Sequence, residues 1–490
     1  MRPTRIRDFK MKKIILVLVA SLLAVSTYSQ NSTQNEYKEW KSSQSEYADF
    51  DIGKYFTPDI VRNQLDINFD FRSDNSRYDY SYPGMDRKIE SSNFAGNISS
   101  FFSHYVNTRK KISSLTGNLS FGGDYYSRKE EQTSTNDNST IFDNVSNSLQ
   151  QNSLNFTWSN KWYFSKLIFM DYGINSNIFY NFKQNKTKNQ TEDINQKQKE
   201  FSLNILPQVG VGYGRIENVR DASHAVYIAN ALSKKKVLSR NLSNDELFEL
   251  AQIISTVKNK RFLDARLHLI DEITSVDSFF SDNDLLTDNG TAYFTTLYDM
   301  WQYGDLFSRK SGYEISFLAR PNYSRRNYKY TSVAQEIINN SNQHLISLNF
   351  SYEKPFKLNW QHSLSAEVSG GICSSLYQNK ETNNDYKNDT KYKAFSAYIG
   401  YSLGFYPNTR TNIQITASQE ISKNLYENQG DSMYAYTMVG ANLYYYFSPN
   451  LRLSGDYRLM YLPSRIYGEN FSNINSFSSS FNIRLTYSIF

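Results

Sequence analysis

Five histidines, His104, His224, His268, His344 and His362, carry the side chains most readily used as general bases or metal ligands. One of them has carboxylates at ligand spacing: Asp264, His268 and Glu272 fall at i, i+4 and i+8, on one face of a helix. That spacing suits a metal or a chain of surface ion pairs, and the single histidine amid Arg and Lys favours ion pairs. No nucleophile elbow, phosphate loop or paired-histidine motif occurs. His104 and His344 have no defined hydroxyl and carboxylate partners for a catalytic triad. Cys373 is the one cysteine, which excludes a disulfide framework and Cys-rich zinc or iron–sulfur sites. The expectation is a protein with no catalytic residues, no cofactor and no metal.

Charge is instead distributed along segments of alternating polarity. Leu65, Ile67, Phe69 and Phe71 share one side, with Asp66, Asn68, Asp70 and Arg72 on the other. Leu451, Leu453, Tyr457 and Leu459 alternate in the same way with Arg452, Ser454, Asp456 and Arg458. Parity gathers Asp66, Asp70, Arg72, Asp171, Glu314, Arg320, Glu367, Arg452, Asp456, Arg458 and Arg484 on one enclosed polar side. Both signs are present, so a pore lined by them would not be strongly ion-selective. The same residues could equally form an ion-pair network that fills a closed lumen. Tyr398, Tyr444 and Tyr446 could line such a path or block it.

Period two is a strand signature, and long strands with one apolar face match a tilted crossing of hydrocarbon. Fourteen candidates stand out: about 60–72, 93–106, 112–126, 145–158, 166–180, 199–213, 311–323, 343–353, 358–372, 393–406, 409–420, 434–447, 450–461 and 478–490. Short connections alternate with longer ones rich in Asn, Ser, Thr, Lys and Glu, such as 181–198 and 373–392. The pattern predicts an all-β transmembrane barrel of about 14 antiparallel strands, with strands 1–6 over 60–213 and strands 7–14 over 311–490. With 39 Tyr and 32 Phe, the composition suits both strands and a lipid–water boundary.

Residues 214–310 break the alternation. Ala222, Ala225, Val226, Ala229 and Leu232 follow helical spacing, as do Leu247, Leu250, Ala251, Ile254 and Val257, and then Phe262, Ala265, Leu269, Ile273, Val276 and Phe280. Ser243 and Glu246 form a capping-box pattern. About three helices are expected, forming a small periplasmic insertion that plugs the barrel mouth, docks a partner or stabilises the rim. Arg215, Glu217, Asp221, Asp264 and Arg266 are its candidate docking residues, with Arg215, Asp264 and Arg266 expected to lock insertion to barrel. Ahead of the strands, 1–29 reads as a secretory signal, with Met11-Lys12-Lys13 before an apolar run from Ile14 to Val25. Residues 30–59 read as a polar periplasmic or lumenal segment in which Trp40, Tyr47, Phe50, Tyr55 and Phe56 suggest partial packing.

The formal charge is +6, but residues 1–29 carry +5 of it, which leaves no general case for nucleic-acid binding. The Ser29-Gln30 cleavage style, the aromatic terminal strand, and the stretches Gly212-Tyr-Gly-Arg-Ile-Glu-Asn-Val-Arg-Asp-Ala222 and Lys258-Asn-Lys-Arg-Phe-Leu-Asp-Ala-Arg266 resemble uncharacterised Bacteroidota outer-membrane β-barrel proteins with a helical periplasmic insertion. The resemblance implies an envelope location and no particular activity. Two functions are expected from these observations. The first is a porin-like channel or transporter for small solutes across the outer membrane, in contact with its lipid. The second is a non-enzymatic accessory or scaffold subunit of a multiprotein outer-membrane complex, docking envelope partners through the insertion and extracellular loops. Exposed Phe or Leu on the insertion, beyond what its own helices bury, would favour the second.

Overall fold

The computed structural model describes residues 47, 49–134, 136, 139–259, 265–302, 307–331, 334–381, 384–427, 430–448, 451–466 and 472–487. The signal segment 1–29, Trp40 and Asp264 lie outside the described residues. In the short N-terminal unit, Phe50 N–H donates to the Tyr47 carbonyl at 3.1 Å. The second unit, Asp51–Phe490, holds the sheet and the helices.

Alternating polarity and β-branched or aromatic content make the long segments strands, each paired antiparallel with its neighbours in sequence. The first six are β1 (Ile60–Tyr82), β2 (Met85–Asn107), β3 (Lys111–Ser134), β4 (Thr140–Tyr163), β5 (Ile168–Asn189) and β6 (Asp193–Asn218). After the insertion come β7 (Lys310–Tyr330), β8 (Gln335–Phe356), β9 (Trp360–Glu381), β10 (Asn384–Asn408), β11 (Thr411–Tyr426), β12 (Ser432–Tyr446), β13 (Leu451–Ile466) and β14 (Ser472–Tyr487). The strands run well past their apolar cores. The stretch 73–92, read as a solvated connection, is ladder except for Pro83-Gly84, with Tyr82 opposite Met85. Polar residues there pair across strands, as in Ser76 with Ser91 at 2.7 Å, so hydrophilicity did not mark a loop.

The expected closed transmembrane barrel is overturned. The order runs β1 to β14, and among the described residues β1 pairs only with β2 and β14 only with β13. Both outer strands are exposed along nearly their whole described length. Alternation specifies strands and their two faces but contains no term for whether the last strand meets the first. Placement in an outer membrane, with a periplasmic insertion, rested on closure and falls with it. No helix among the described residues is long and apolar enough to cross a membrane.

Between β6 and β7 the described residues form four helices where about three were expected: α1 (Arg220–Lys234), α2 (Asn244–Asn259), α3 (Ala265–Asp282) and α4 (Thr291–Gln302). The fourth escapes notice because its buried residues, Tyr293, Leu297 and Trp301, form a single thin i, i+4, i+8 line. The densest apolar core of the molecule sits here, where Ala222, Ala225, Val226, Ala229 and Leu232 meet Leu247, Leu250, Ala251 and Ile254, all inaccessible to solvent. Helix α2 starts on a reciprocal cap. Ser243 N–H donates to Glu246 Oε2 at 2.7 Å, and Glu246 N–H donates to Ser243 Oγ at 3.3 Å.

Arg240 donates to both oxygens of Glu246, and together with the Ser243 amide it holds that carboxyl down from 4.5 to about 2. A folded-state pKa below the unfolded value means that this stabilisation is fully present above about pH 4.5 and is lost as pH falls toward 2. Glu246→Gln is expected to cost about 1 kcal/mol at neutral pH and to flatten stability between pH 4.5 and 2. Chemical denaturation followed by helical ellipticity checks this; equal acid sensitivity in both proteins would contradict it.

Candidate functional site

At the insertion end, β6 changes the direction of its side chains. Val209, Val211 and Tyr213 are exposed on one face, while Gly210, Gly212 and Gly214 occupy the other. Gly214 adopts φ +106°, a conformation that favours glycine, and after it Arg215, half-buried, and Glu217, buried, turn to the glycine face. A Cβ on Gly214 would lie 2.1 Å from the Tyr313 carbonyl oxygen, and one on Gly212 would strike the Phe169 ring at 2.2 Å. The missing side chains make room for Phe169 and Tyr163, whose ring centroids are 5.3 Å apart.

Arg215 fills its fork in this space. It pairs with Glu217 at 2.6 Å, donates to Asn107 Oδ1 and the Thr108 carbonyl at 2.9 Å and to the Arg109 carbonyl at 3.0 Å, and stacks 4.7 Å from the Tyr163 ring. It therefore ties β6 to the β2–β3 turn. Beside it Lys161 bridges to Glu314, whose other oxygen accepts from the Tyr163 hydroxyl at 3.4 Å. Asp171 lies opposite Lys161 in the ladder and accepts from Gln208 at 2.7 Å; burial pushes its carboxyl up.

A second polar cluster runs through the insertion itself. Ser255 donates to Asp221 Oδ2 at 2.5 Å, and Tyr55 shares its hydroxyl between Ser255 Oγ at 2.8 Å and the Ala251 carbonyl at 3.1 Å. Lys258, buried, lies 3.8 Å from Asp221 Oδ1 and 3.0 Å from His224 Nδ1. His224 Nε2 sits 3.0 Å from the Met300 carbonyl, which can only accept. The ring is therefore neutral, with its proton on Nε2, and Nδ1 accepts from the Lys258 ammonium. Trp301 lies under that ammonium, 5.2 Å to the ring centroid, and its indole donates to buried Glu272 at 2.9 Å. All four helices and the segment before β1 thus meet in one buried chain of partners. Burial leaves Ser255 no approach for a substrate; the arrangement fixes helices.

A third cluster joins insertion to sheet. Buried Arg309 donates to the Leu358 carbonyl at 2.8 Å and the Trp360 carbonyl at 2.9 Å, and covers the Tyr406 ring at 4.7 Å. Tyr227 on α1 donates to the Tyr406 carbonyl at 2.6 Å, and burial pushes its phenol up to about 12. Asp299 on α4 pairs with Arg410 in the β10–β11 turn, and Thr57 donates to the Asn218 carbonyl at 2.8 Å.

The residues singled out from the sequence are scattered over these clusters and beyond them. Arg320 on β7 pairs with Glu367 on β9. Asp66 accepts from Gln64 at 2.7 Å, Arg72 binds Asp74 at 2.6 Å, and Asp70 lines a shallow depression of ≈ 560 Å³ over β1–β5. Asp456 accepts from Asn482 at 3.2 Å with Arg458 3.8 Å away, Arg452 lies opposite Tyr446, and Arg484 is exposed opposite Ser454. Arg215 grips the β2–β3 turn with Glu217 paired to it, and Asp221 grips α2, while of Arg266 only the helical backbone is described. Tyr55 was expected to pack and does, while the roles of His224, Ser255, Lys258, Trp301 and Arg309 were missed. Ser255 and Lys258 do carry a signal, since they continue the Leu247, Ala251, Ile254 face by one turn. Among the described residues no group of His, Cys, Asp or Glu could hold a metal ion.

No family model and no curated protein matches the chain. Among solved structures it is similar to the β domain of the Bordetella autotransporter Brka, at 9% identity over 88% of this chain and 99% of that one, with TM-score 0.20. The ferric yersiniabactin uptake receptor FyuA from Yersinia pestis is 6% identical over 88% and 73%, with TM-score 0.26. The transport unit of the autotransporter AIDA-I from Escherichia coli is 9% identical over 90% and 93%, with TM-score 0.13. Scores this low assign neither closure nor function. The expected kinship with Bacteroidota outer-membrane barrels is overturned, because the described strands form an open sheet and not a closed barrel.

Lys258→Met leaves Asp221 buried without its helix α2 cation and is expected to cost about 3 kcal/mol, with Lys258→Met/Asp221→Leu recovering part of it because neither member of this pair is then left as a charge without the other. Urea melts of the two variants check this. Gly214→Ala, strained in backbone and clashing with Tyr313, is expected to cost more than about 1 kcal/mol and to expose the β2–β3 turn to protease.

Proposed function

We propose that the protein is a non-enzymatic accessory or scaffold subunit of a multiprotein assembly, docking partner proteins through its helical insertion. The observation that carries this reading is on α4. Tyr293, Leu297 and Trp301 are buried, yet Phe294 and Tyr298, one turn apart on another face, remain 46% and 43% exposed. Ile270 on α3 is 75% exposed. Among the described residues the insertion has a buried core and still leaves large apolar side chains uncovered, as contact surfaces do, and Phe and Tyr are residue types that anchor interfaces.

The attachment of the insertion supports the same reading. Arg309 holds it to the β8–β9 turn, and Tyr227 and Asp299 hold it to the end of β10 and the β10–β11 turn, so a partner meets a fixed platform and loses less to ordering on binding. A porin-like channel needs an enclosed lumen, and among the described residues the outer strands β1 and β14 do not pair to enclose one. Partners are expected to be proteins rather than nucleic acid, given a net charge of +6 of which residues 1–29 hold +5.

Phe294→Ser/Tyr298→Ser is expected to abolish co-purification of partners from the native cell while leaving helical ellipticity and melting within about 0.5 kcal/mol of the parent. A control pair on the sheet, Ile346→Ser/Leu348→Ser, should retain them. Partners that survive the α4 substitutions would overturn docking through this face.

A further inference from the structure

The outer edge of β1, which meets no other strand among the described residues, has the chemistry of a self-pairing strand. Edge strands are ordinarily blunted by Lys, Pro or bulges, but from Ile60 to Tyr78 β1 contains no Lys, Pro or Gly, and its ladder with β2 is unbroken. Leu65, Ile67, Phe69 and Phe71 form one uninterrupted apolar row, each more than half exposed. Asp66 and Arg72 flank this row with only local partners, Gln64 and Asp74.

We infer that β1 pairs antiparallel with β1 of a second copy of this chain, about a two-fold axis through Phe69. The charges select that register. Centred on Asp70, a pair would set Asp70 against Asp70 and Asp66 against Asp74; centred on Asn68, Asp66 against Asp70; centred on Arg72, Arg72 against itself. Centred on Phe69, Asp66 of each copy faces Arg72 of the other, and no like charges meet between Ile60 and Tyr78. The apolar row is served by the same choice, with Phe69 opposite Phe69 and Ile67 opposite Phe71 twice. Centring on Phe71 also avoids like charges but sets Phe69 against Ser73. The contact is isologous and closes as a dimer rather than propagating. The opposite edge offers no such code, since β14 carries the single charge Arg484. The inference is independent of the docking face on α4, which lies in the insertion.

Full-length chain carrying Cys373→Ser and Phe69→Cys tests it by oxidative cross-linking. A symmetric pair at this position brings the two Cα atoms to about 4.5–5.5 Å, within disulfide reach, and a covalent dimer is expected. Ile67→Cys alone should cross-link about tenfold less, because its two copies are offset by four residues, or about 13 Å; mixed with Phe71→Cys chains it should give a heterodimer. In sedimentation, Asp66→Arg is expected to weaken dimerisation about tenfold and Asp66→Arg/Arg72→Asp to restore it. A monomer that ignores Asp66→Arg, or a Phe69→Cys thiol that joins Ile483→Cys on β14 in preference to its own copy, would overturn the inference.

Discussion

Each strand's backbone is satisfied by the strand next to it in sequence, and this constraint orders the rest of the molecule. A ladder built only from sequential antiparallel neighbours needs no long crossover, so every connection but one is short. It also has a beginning and an end. The amide and carbonyl rows on the outer sides of β1 and β14 meet no strand among the described residues, and the apolar row Leu65, Ile67, Phe69 and Phe71 stays in view of solvent, as do Phe481, Ile483 and Leu485. Burial is therefore concentrated where the ladder is interrupted. The insertion carries the deepest apolar core, and the neighbouring glycine face of β6 collects Phe169, Tyr163 and Arg215.

That division explains what the sequence could and could not reveal. Period two located fourteen strands, because side-chain alternation is a local consequence of the extended backbone. Helical periodicity located the insertion and its first three helices for the same reason. Strand ends were hidden, since Ser, Asn, Thr and Lys pair across the ladder as readily as they fill loops. Closure was hidden too, because it depends on the relation of β1 to β14 and not on either strand alone. At the candidate site, Arg215 was recognisable as a charged residue at a strand exit. Its target in the β2–β3 turn depended on the parity change at Gly214, and a Gly-x-Gly-x-Gly run does not announce which of its members takes a positive φ.

The buried chain from Tyr55 to Glu272 shows a different limit. Lysine and aspartate within apolar helices read as surface positions, yet Lys258 and Asp221 face inward because Ser255, His224 and the Trp301 ring satisfy them. Removing charge from water is tolerable only with such company, and the company comes from four separate helices that no local pattern relates. Directional partners specify how these helices meet more narrowly than apolar contact alone would, which suits a surface whose role is to hold a fixed shape.

The insertion begins and ends at one place. Val219 N–H donates to the Arg309 carbonyl at 2.8 Å, directly continuing the pairing of Asn218 with Lys310. Whatever lies between those two residues is, for the sheet, a loop whose entropic cost grows only with the logarithm of its length. Evolution could thus have acquired, enlarged or exchanged the helices at this hairpin without altering strand register. A graft at the same two positions inherits a ready-made anchor, with the Arg309 guanidinium already clasping the β8–β9 turn.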